Sequence, residues 1–160
     1  MNIGLFIQNY SIGGIETFLV NLLNNYKSND KIFIYYNKTH PDINFLKKEI
    51  KRKVNYKSYN IFSVEDEFIN NFGLLNKLIK YICILIYPAI FSYQKLKLIE
   101  LFKKEKLDRL MVINGGYPGG DLCLAASISW SKVSPSNKSW HNFHSIAVAK
   151  NRFFFNNYFK

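Results

Sequence analysis

The chain has 160 residues, which is enough for one domain with a hydrophobic core. Its 48% apolar and 21% charged residues argue against a disordered chain, and its two cysteines, Cys83 and Cys123, argue against a disulfide framework. The net charge of +11 predicts an anionic partner, such as a phosphorylated substrate, an anionic lipid or a nucleic acid. No signal peptide is visible at the N-terminus, so we expect a cytoplasmic protein.

The first segment has the order strand, glycine loop, helix. The apolar run from Ile3 to Ile7 predicts a buried parallel strand, and apolar residues at helical spacing follow from Phe18 to Tyr26. Between them lie a polar turn and the pair Gly13-Gly14. In an open α/β sheet such a loop lies outside the carboxyl end of a strand, where ligands bind. Glycines allow close approach of a ligand, and a helix N-terminus favours a phosphate, although a tight turn without a ligand has the same pattern.

The middle of the chain continues the alternation. Residues 31–36 and 54–59 predict two strands, and a helix around residues 43–50 lies between them, with Pro41 in its first turn. Residues 60–73 suit a loop and a short acidic helix. A helical stretch over residues 74–106 is interrupted by Pro88, and its apolar centre is shorter than the roughly 20 residues of a membrane span. This stretch is either a core helix pair with a basic solvated face or a helix pair on an anionic membrane surface.

The last part of the chain adds two more strands. Residues 107–114 predict a strand, and a second glycine loop, Asn114 to Gly120, leads to a helix that Asp121 can cap. A loop over residues 131–137, a short strand over residues 138–141 and a helix over residues 146–159 complete the chain. This order predicts an α/β fold with a doubly wound parallel sheet, a single Rossmann-like domain over residues 1–160.

Three strand ends then meet at one point. With the usual strand order 3-2-1-4-5, the switch point lies between the first strand and the strand before Asn114. The Gly13-Gly14 loop, the second glycine loop and His141 follow the strands there, and six of the chain's eight glycines lie in these two loops. His141 is a side chain that readily exchanges protons near neutral pH, with a structural histidine as the alternative. The three loops together predict a ligand cleft.

Several familiar sites do not fit the sequence. A nicotinamide site needs G-x-G-x-x-G after the first strand and an acidic residue after the second, and a P-loop needs Gly-Lys-Ser/Thr. His141 and His144 lack a third metal ligand at a fitting spacing, and a Ser/His/Asp hydrolase would need a G-x-S-x-G elbow. No nucleic-acid-binding signature is present, so nucleic acid is an unfavoured partner.

Three segments resemble one family. The run IGLFIQNYSIGGIETFLVNLLN resembles the opening of family-4 glycosyltransferases of the GT-B fold. KEKLDRLMVINGGYPGGDLCLAA resembles that family's fourth strand-helix unit, and WHNFHS resembles the strand end that carries its His-Asn or His-Asp dipeptide. The segments occur in the family's order and cover most of the chain.

The resemblance implies a retaining transfer of a sugar from a nucleotide-sugar to a polysaccharide or lipid-linked acceptor, usually without a metal. The nucleotide-sugar is then a co-substrate, and no other cofactor is expected. His141 would contact the transferred sugar or the acceptor as the catalytic residue. The donor-phosphate loop would be Gly13, Gly14 and Glu16. The acceptor side would comprise Asn114, Gly115, Gly116, Tyr117, Gly119, Gly120 and Asn142.

The resemblance covers only the N-terminal, acceptor-binding domain of that family. The domain that carries most nucleotide-sugar contacts and the E-x7-E glutamates has no counterpart in these 160 residues. We therefore expect a half-enzyme, truncated or paired with a separate C-terminal chain, that is inactive alone because most electrostatic stabilisers are missing. The alternative hypothesis is a non-catalytic, basic domain on the inner face of the cell membrane, bound through residues 74–106.

Overall fold

A computed structural model of the chain describes residues 1–10, 13–63, 82–83, 85–113 and 120–142. The strands in these ranges are β1 (Asn2–Ile7), β2 (Lys31–Asn37), β3 (Val54–Tyr59), β4 (Arg109–Ile113) and β5 (Trp140–Asn142). The helices in the same ranges are α1 (Gly14–Asn25), α2 (Ile43–Glu49), α3 (Tyr87–Lys104) and α4 (Asp121–Val133). All strand pairs are parallel, and their order is β3-β2-β1-β4-β5. The predicted doubly wound sheet and its strand order are confirmed.

The sheet separates two hydrophobic clusters, because successive residues of a strand point to opposite faces. Ile3, Leu5 and Ile7 of β1 pack with α1 and α2 on one face. Phe6 of β1 packs with α3 and α4 on the other face. We call these the α1–α2 face and the α3–α4 face. The core is therefore a three-layer α/β/α sandwich with β1 at the centre of the sheet.

Helix α3 begins next to Pro88, at a position where a helix tolerates proline. Ile86 is its N-cap, and Pro88 lies in the first turn, where the missing N–H has no intrahelical partner to lose. The interruption predicted at Pro88 is thus the start of a helix. Phe102 of α3 is fully buried, and its ring meets those of Phe6, Tyr35 and Trp130 edge-on at centroid distances of 6.0, 5.9 and 6.1 Å.

Several element boundaries differ from the sequence prediction: β4 covers Arg109–Ile113 instead of residues 107–114, and β5 covers Trp140–Asn142 instead of residues 138–141. Two differences at helix ends have a clear physical reason. Helix α4 continues to Val133 instead of ending before residue 131, because Trp130 is buried in the core and the helix is stopped only by the approach of Pro135. Pro41 lies in a turn before α2, whose N-cap is Asp42; the Asp42 carboxylate accepts a bond from the Phe45 N–H at 3.0 Å.

Several predicted segments lie outside the described residues. They are the acidic helix around residues 65–67, residues 74–81 of the long helical stretch, most of the second glycine loop and the helix over residues 146–159. Among the helices that the structure does describe, none combines the length and apolar character needed to cross a membrane.

Candidate ligand-binding site

Two consecutive amides at the end of β1 point to opposite faces of the sheet. Gln8 reaches the first turn of α4: its Nε2 donates to Asp121 Oδ1 at 3.1 Å, and its Oε1 accepts from the Leu122 N–H at 3.1 Å. Asn9 reaches the first turn of α1, where its Nδ2 donates to Glu16 Oε1 at 2.5 Å. The end of the central strand is therefore tied to the N-terminus of one helix on each face.

Glu16 lies beneath the first glycine loop and not on its open side. Its side chain is fully buried, and its Oε2 accepts a hydrogen bond from the Gly13 N–H at 2.9 Å. Its Oε1 accepts from Asn9 and lies 3.3 Å from His40 Nε2. An acidic residue at the third helical position that accepts from the N-cap N–H is half of a capping box. Because the carboxylate is buried, it also contacts residues that follow β1 and β2.

His40 follows β2 and is the basic partner of Glu16. The Asp42 N–H donates to His40 Nδ1 at 3.3 Å, so the ring proton lies on Nε2, the nitrogen that faces Glu16. Burial lowers the pKa of His40 below its ordinary value of 6.5, against the opposing attraction of Glu16 and Asp42. The imidazole is therefore neutral at pH 7.

The last residue of β2 fixes the backbone of residue 9. Asn37 Oδ1 accepts from the Asn9 N–H at 3.1 Å, and Asn37 Nδ2 donates to the Asn9 carbonyl at 3.1 Å and to Thr39 Oγ1 at 2.7 Å. The Asn37 side chain therefore continues the hydrogen bonding between the two chain segments beyond Ile7 and Tyr36, the last paired residues of β1 and β2. The position of Asn9, and through it that of Glu16, is thereby set by both strands.

Asp121 is the centre of a second buried polar cluster, on the α3–α4 face. The sequence predicts it as a helix cap, but the N-cap is Gly120 and Asp121 is the first residue of α4. Its carboxylate accepts from Ser63 Oγ at 2.7 Å, from Gln94 Nε2 at 2.8 Å and from Gln8. Because Asp121 is 4% exposed, these bonds stand in for water around a buried charge.

The described surroundings of Gly13 and Gly14 leave space beside both residues. Among the residues that the structure describes, a Cβ built on Gly13 or on Gly14 meets no atom within 4 Å apart from its chain neighbours and the nearby backbone of its own helix. The backbone of Gly13 is extended, with φ of −173°, so the conformation alone does not require glycine at this position. The two glycines therefore leave space beside the backbone at the N-terminus of α1, the kind of space a ligand could use.

His141 lies on the α3–α4 face of the sheet. In the register of the strands it stands beside Val112 of β4, which stands beside Phe6 of β1. Its Nε2 is 2.7 Å from Ser127 Oγ, on the second turn of α4. The residue is exposed overall, and partial burial of the ring lowers its pKa below 6.5. The Gly13-Gly14 pair begins a helix on the opposite face, so the described structure does not join these two candidates in a direct contact.

The remaining predicted site residues are only partly described. Gly120 is buried, and its carbonyl accepts from the Cys123 N–H at 2.9 Å. Asn142 ends β5 and pairs with Ile113. The other predicted residues of the acceptor side, and the second histidine of the possible metal pair, lie outside the described residues: Asn114, Gly115, Gly116, Tyr117, Gly119 and His144.

Sequence reasoning missed the residues that organise this edge. The sequence pattern places Gln8, Asn9 and Asn37 in turns or loops, and it indicates no role for His40. The signal available was their position, because each follows an apolar strand directly or within a few residues. Polar side chains at the carboxyl ends of neighbouring parallel strands converge at one edge of the sheet.

No family model matches the chain, and no curated protein matches it. It is similar to a solved structure of UDP-GlcNAc 2-epimerase from Neisseria meningitidis bound to UDP-GlcNAc, with a TM-score of 0.50 and 12% sequence identity over 99% of this chain. A second UDP-N-acetylglucosamine 2-epimerase structure has a TM-score of 0.48 and 16% identity over 88% of this chain. The chain spans about a third of the length of each, 34% and 32%. The first likeness supports the Rossmann-like α/β fold.

Proposed function

We propose that this chain is the N-terminal, acceptor-side domain of an enzyme that acts on a nucleotide-sugar, and specifically of a retaining glycosyltransferase. The observation that carries the proposal is the glycine pair at the carboxyl end of β1, the central strand of a 3-2-1-4-5 parallel sheet, with space beside both glycines among the residues that the structure describes. Such a strand end is where ligands bind in doubly wound folds.

Two further observations support the same proposal. The solved structure of similar fold from Neisseria meningitidis holds UDP-GlcNAc. The motif resemblance to family-4 glycosyltransferases extends over residues on three strand ends. In the proposed reaction the bond from the sugar C1 to the donor diphosphate breaks, and a bond from C1 to an acceptor oxygen forms on the same face of the ring. The acceptor hydroxyl gives its proton to the His141 imidazole, and UDP or another nucleoside diphosphate leaves.

The proposal is tested by turnover once a C-terminal nucleotide-sugar domain accompanies this chain. We expect release of nucleoside diphosphate that depends on an acceptor, and we expect His141→Ala to lower kcat by about a hundredfold or more, the usual effect of losing a group that moves a proton. His144→Ala is the matched control, because it removes the other histidine of the same segment. Product analysis by mass spectrometry and NMR identifies the new linkage.

Two results would contradict this proposal. If the complete protein is inert toward every nucleotide-sugar tried, the enzyme proposal is lost. If it converts a nucleotide-sugar to its epimer and glycosylates no acceptor, glycosyl transfer is the wrong reaction, although nucleotide-sugar binding stands.

One observation favours a second function, association with an anionic membrane surface. Apolar side chains recur at helical spacing along α3 and the residues before it, with exposed fractions of 46–80%: Ile82, Leu85, Ile86, Tyr93 and Leu96. Exposed lysines, Lys97, Lys103 and Lys104, continue the same helix toward its C-terminus. An apolar strip beside basic residues binds anionic bilayers by shallow insertion together with charge attraction.

Sedimentation with vesicles containing anionic lipid tests this second function. We expect the double variant Lys103→Glu/Lys104→Glu to bind about thirtyfold more weakly or worse, since each lysine near such a surface contributes about 1 kcal/mol. Lys47→Glu/Lys48→Glu, in the last turn of α2 on the opposite face, makes the same charge change and is expected to have a smaller effect. Equal losses would show attraction by net charge alone, and binding that is insensitive to salt or absent would end the membrane hypothesis.

A further inference from the structure

A capping box does not need a buried carboxylate. On most helices the acidic residue at the third position accepts the N-cap N–H while its other oxygen stays in water. Glu16 makes this contact with Gly13 but is fully buried, which costs free energy unless the charge is well supplied with hydrogen bonds. The start of α1 alone therefore does not account for where this carboxylate lies.

The other contacts of Glu16 connect the loop to the sheet. Asn9, which follows β1, donates a hydrogen bond to Glu16 Oε1. His40, which lies in the segment after β2, has its Nε2 atom 3.3 Å from the same oxygen. Asn37 fixes Asn9 in turn. Gly13 is thus tied, through a single carboxylate, to two neighbouring strand ends.

We propose that Glu16 is a positioning residue for the candidate ligand-binding loop, holding Gly13 from beneath so that the open side of the glycine pair and the first-turn N–H groups of α1 face the ligand. This inference rests on the proposed function, in which that ligand carries a diphosphate. First-turn N–H groups have no intrahelical acceptor, so a correctly placed loop offers them to an anion.

A role of Glu16 through its charge and a role through its hydrogen bond to Gly13 predict opposite effects on anion binding by the loop, so the two can be distinguished by experiment. The Glu16 carboxylate is negative, so if only its charge mattered, removing it would strengthen the binding of an anion to the loop. If it acts by holding Gly13, removing it weakens that binding. Glu16→Ala and Glu16→Gln both remove the charge, but only glutamine keeps an oxygen that can accept the Gly13 N–H.

The first measurement is hydrogen exchange of backbone amides by NMR on the full chain without ligand. We expect the Gly13 N–H to exchange about tenfold more slowly in the wild type than in Glu16→Ala, because a buried acceptor holds it. Glu100→Gln is the control, since it removes one negative charge from an exposed position on α3. A Gly13 amide that exchanges equally fast in the wild type and in Glu16→Ala overturns the inference and leaves the proposed function untouched. If the alanine variant does not fold, the comparison is made with Glu16→Gln, which is expected to lose part of the protection because its NH2 group faces the Asn9 donor. Equal exchange in the wild type and in Glu16→Gln would then overturn the inference.

The second measurement is a titration with inorganic pyrophosphate, followed by the amide shifts of Gly14 and Ile15. We expect Glu16→Ala to bind about three- to tenfold more weakly than the wild type, the effect of about one hydrogen bond. Glu16→Gln is expected to recover part of that loss, because its oxygen can accept the Gly13 N–H while its NH2 group faces the Asn9 donor. Affinities that fall in neither variant would overturn the positioning role, and tighter binding in both variants would show that Glu16 acts through its charge alone. A protected Gly13 in a wild-type chain that does not bind pyrophosphate counts against the diphosphate ligand itself, and so against the proposed function and the positioning role together.

Discussion

Replacing Asp121 with alanine is expected to lower the free energy of unfolding by about 3 kcal/mol or more. The substitution takes away a buried acceptor of the Ser63 hydroxyl, one of the partners of Gln8, and one of the two acceptors of the Gln94 amide, the other being the Phe62 carbonyl. Each buried donor left without an acceptor costs about 1–3 kcal/mol, and the helix also loses an acidic residue from its first turn. Urea unfolding monitored by circular dichroism measures the change.

Asp42→Ala is the matched control for that experiment. Asp42 is also an aspartate at a helix start, but its carboxylate accepts the Phe45 N–H at the exposed surface of the protein. Loss of such a cap costs about 1 kcal/mol. If the two variants lose the same stability, the cluster around Asp121 contributes no more than an ordinary helix cap.

Leu98→Ala is expected to cost about 2–5 kcal/mol of unfolding free energy. Leu98 is fully buried in the cluster between α3, α4 and the sheet, and removing three of its carbon atoms leaves a cavity that close-packed neighbours fill only in part. The same denaturant titration measures the loss, and the slope of the transition should not change if the variant keeps the fold.

Leu96→Ala provides the comparison on the same helix. Leu96 is 68% exposed and lies two residues from Leu98, so the chemical change is identical and the side of the helix is different. We expect a change within about 0.5 kcal/mol, as for an ordinary surface substitution. A large loss at Leu96, or a small one at Leu98, would mean that α3 presents its other side to the sheet.

The sequence was sufficient for the architecture because each element carries a local signal. Strand β2 is a run of β-branched and aromatic residues, and in β3 valine and two tyrosines are interspersed with polar residues. Helix α3 begins within one turn of Pro88, where the backbone favours a helix start. Strand order followed from the usual winding of such sheets and not from any single residue. The sequence predicts α4 too short because the serine and lysine residues near its end have no apolar pattern, whereas the buried Trp130 keeps that turn in place.

The candidate site was less accessible to sequence reasoning because its contacts join distant parts of the chain. Glu16 and His40 are brought together by the parallel pairing of β1 and β2, and Gln8 and Asp121 by that of β1 with β4. A motif resemblance assigned Glu16 to the loop but could not say which side of the loop its carboxylate occupies. Only packing decides whether an acidic side chain beside glycines faces a ligand or the interior.

Gln8 and Asn9, the two amides that follow β1, also favour one register of β1 with its neighbouring strands. A shift of β1 by one residue would turn every side chain of the strand to the opposite face. Gln8 would then point toward the helix that carries Glu16, and Asn9, which is shorter by one methylene, toward Asp121. The hydrogen bonds that Gln8 makes with Asp121 and Leu122 would be lost in the same step, so the misaligned sheet is penalised independently of its hydrophobic residues.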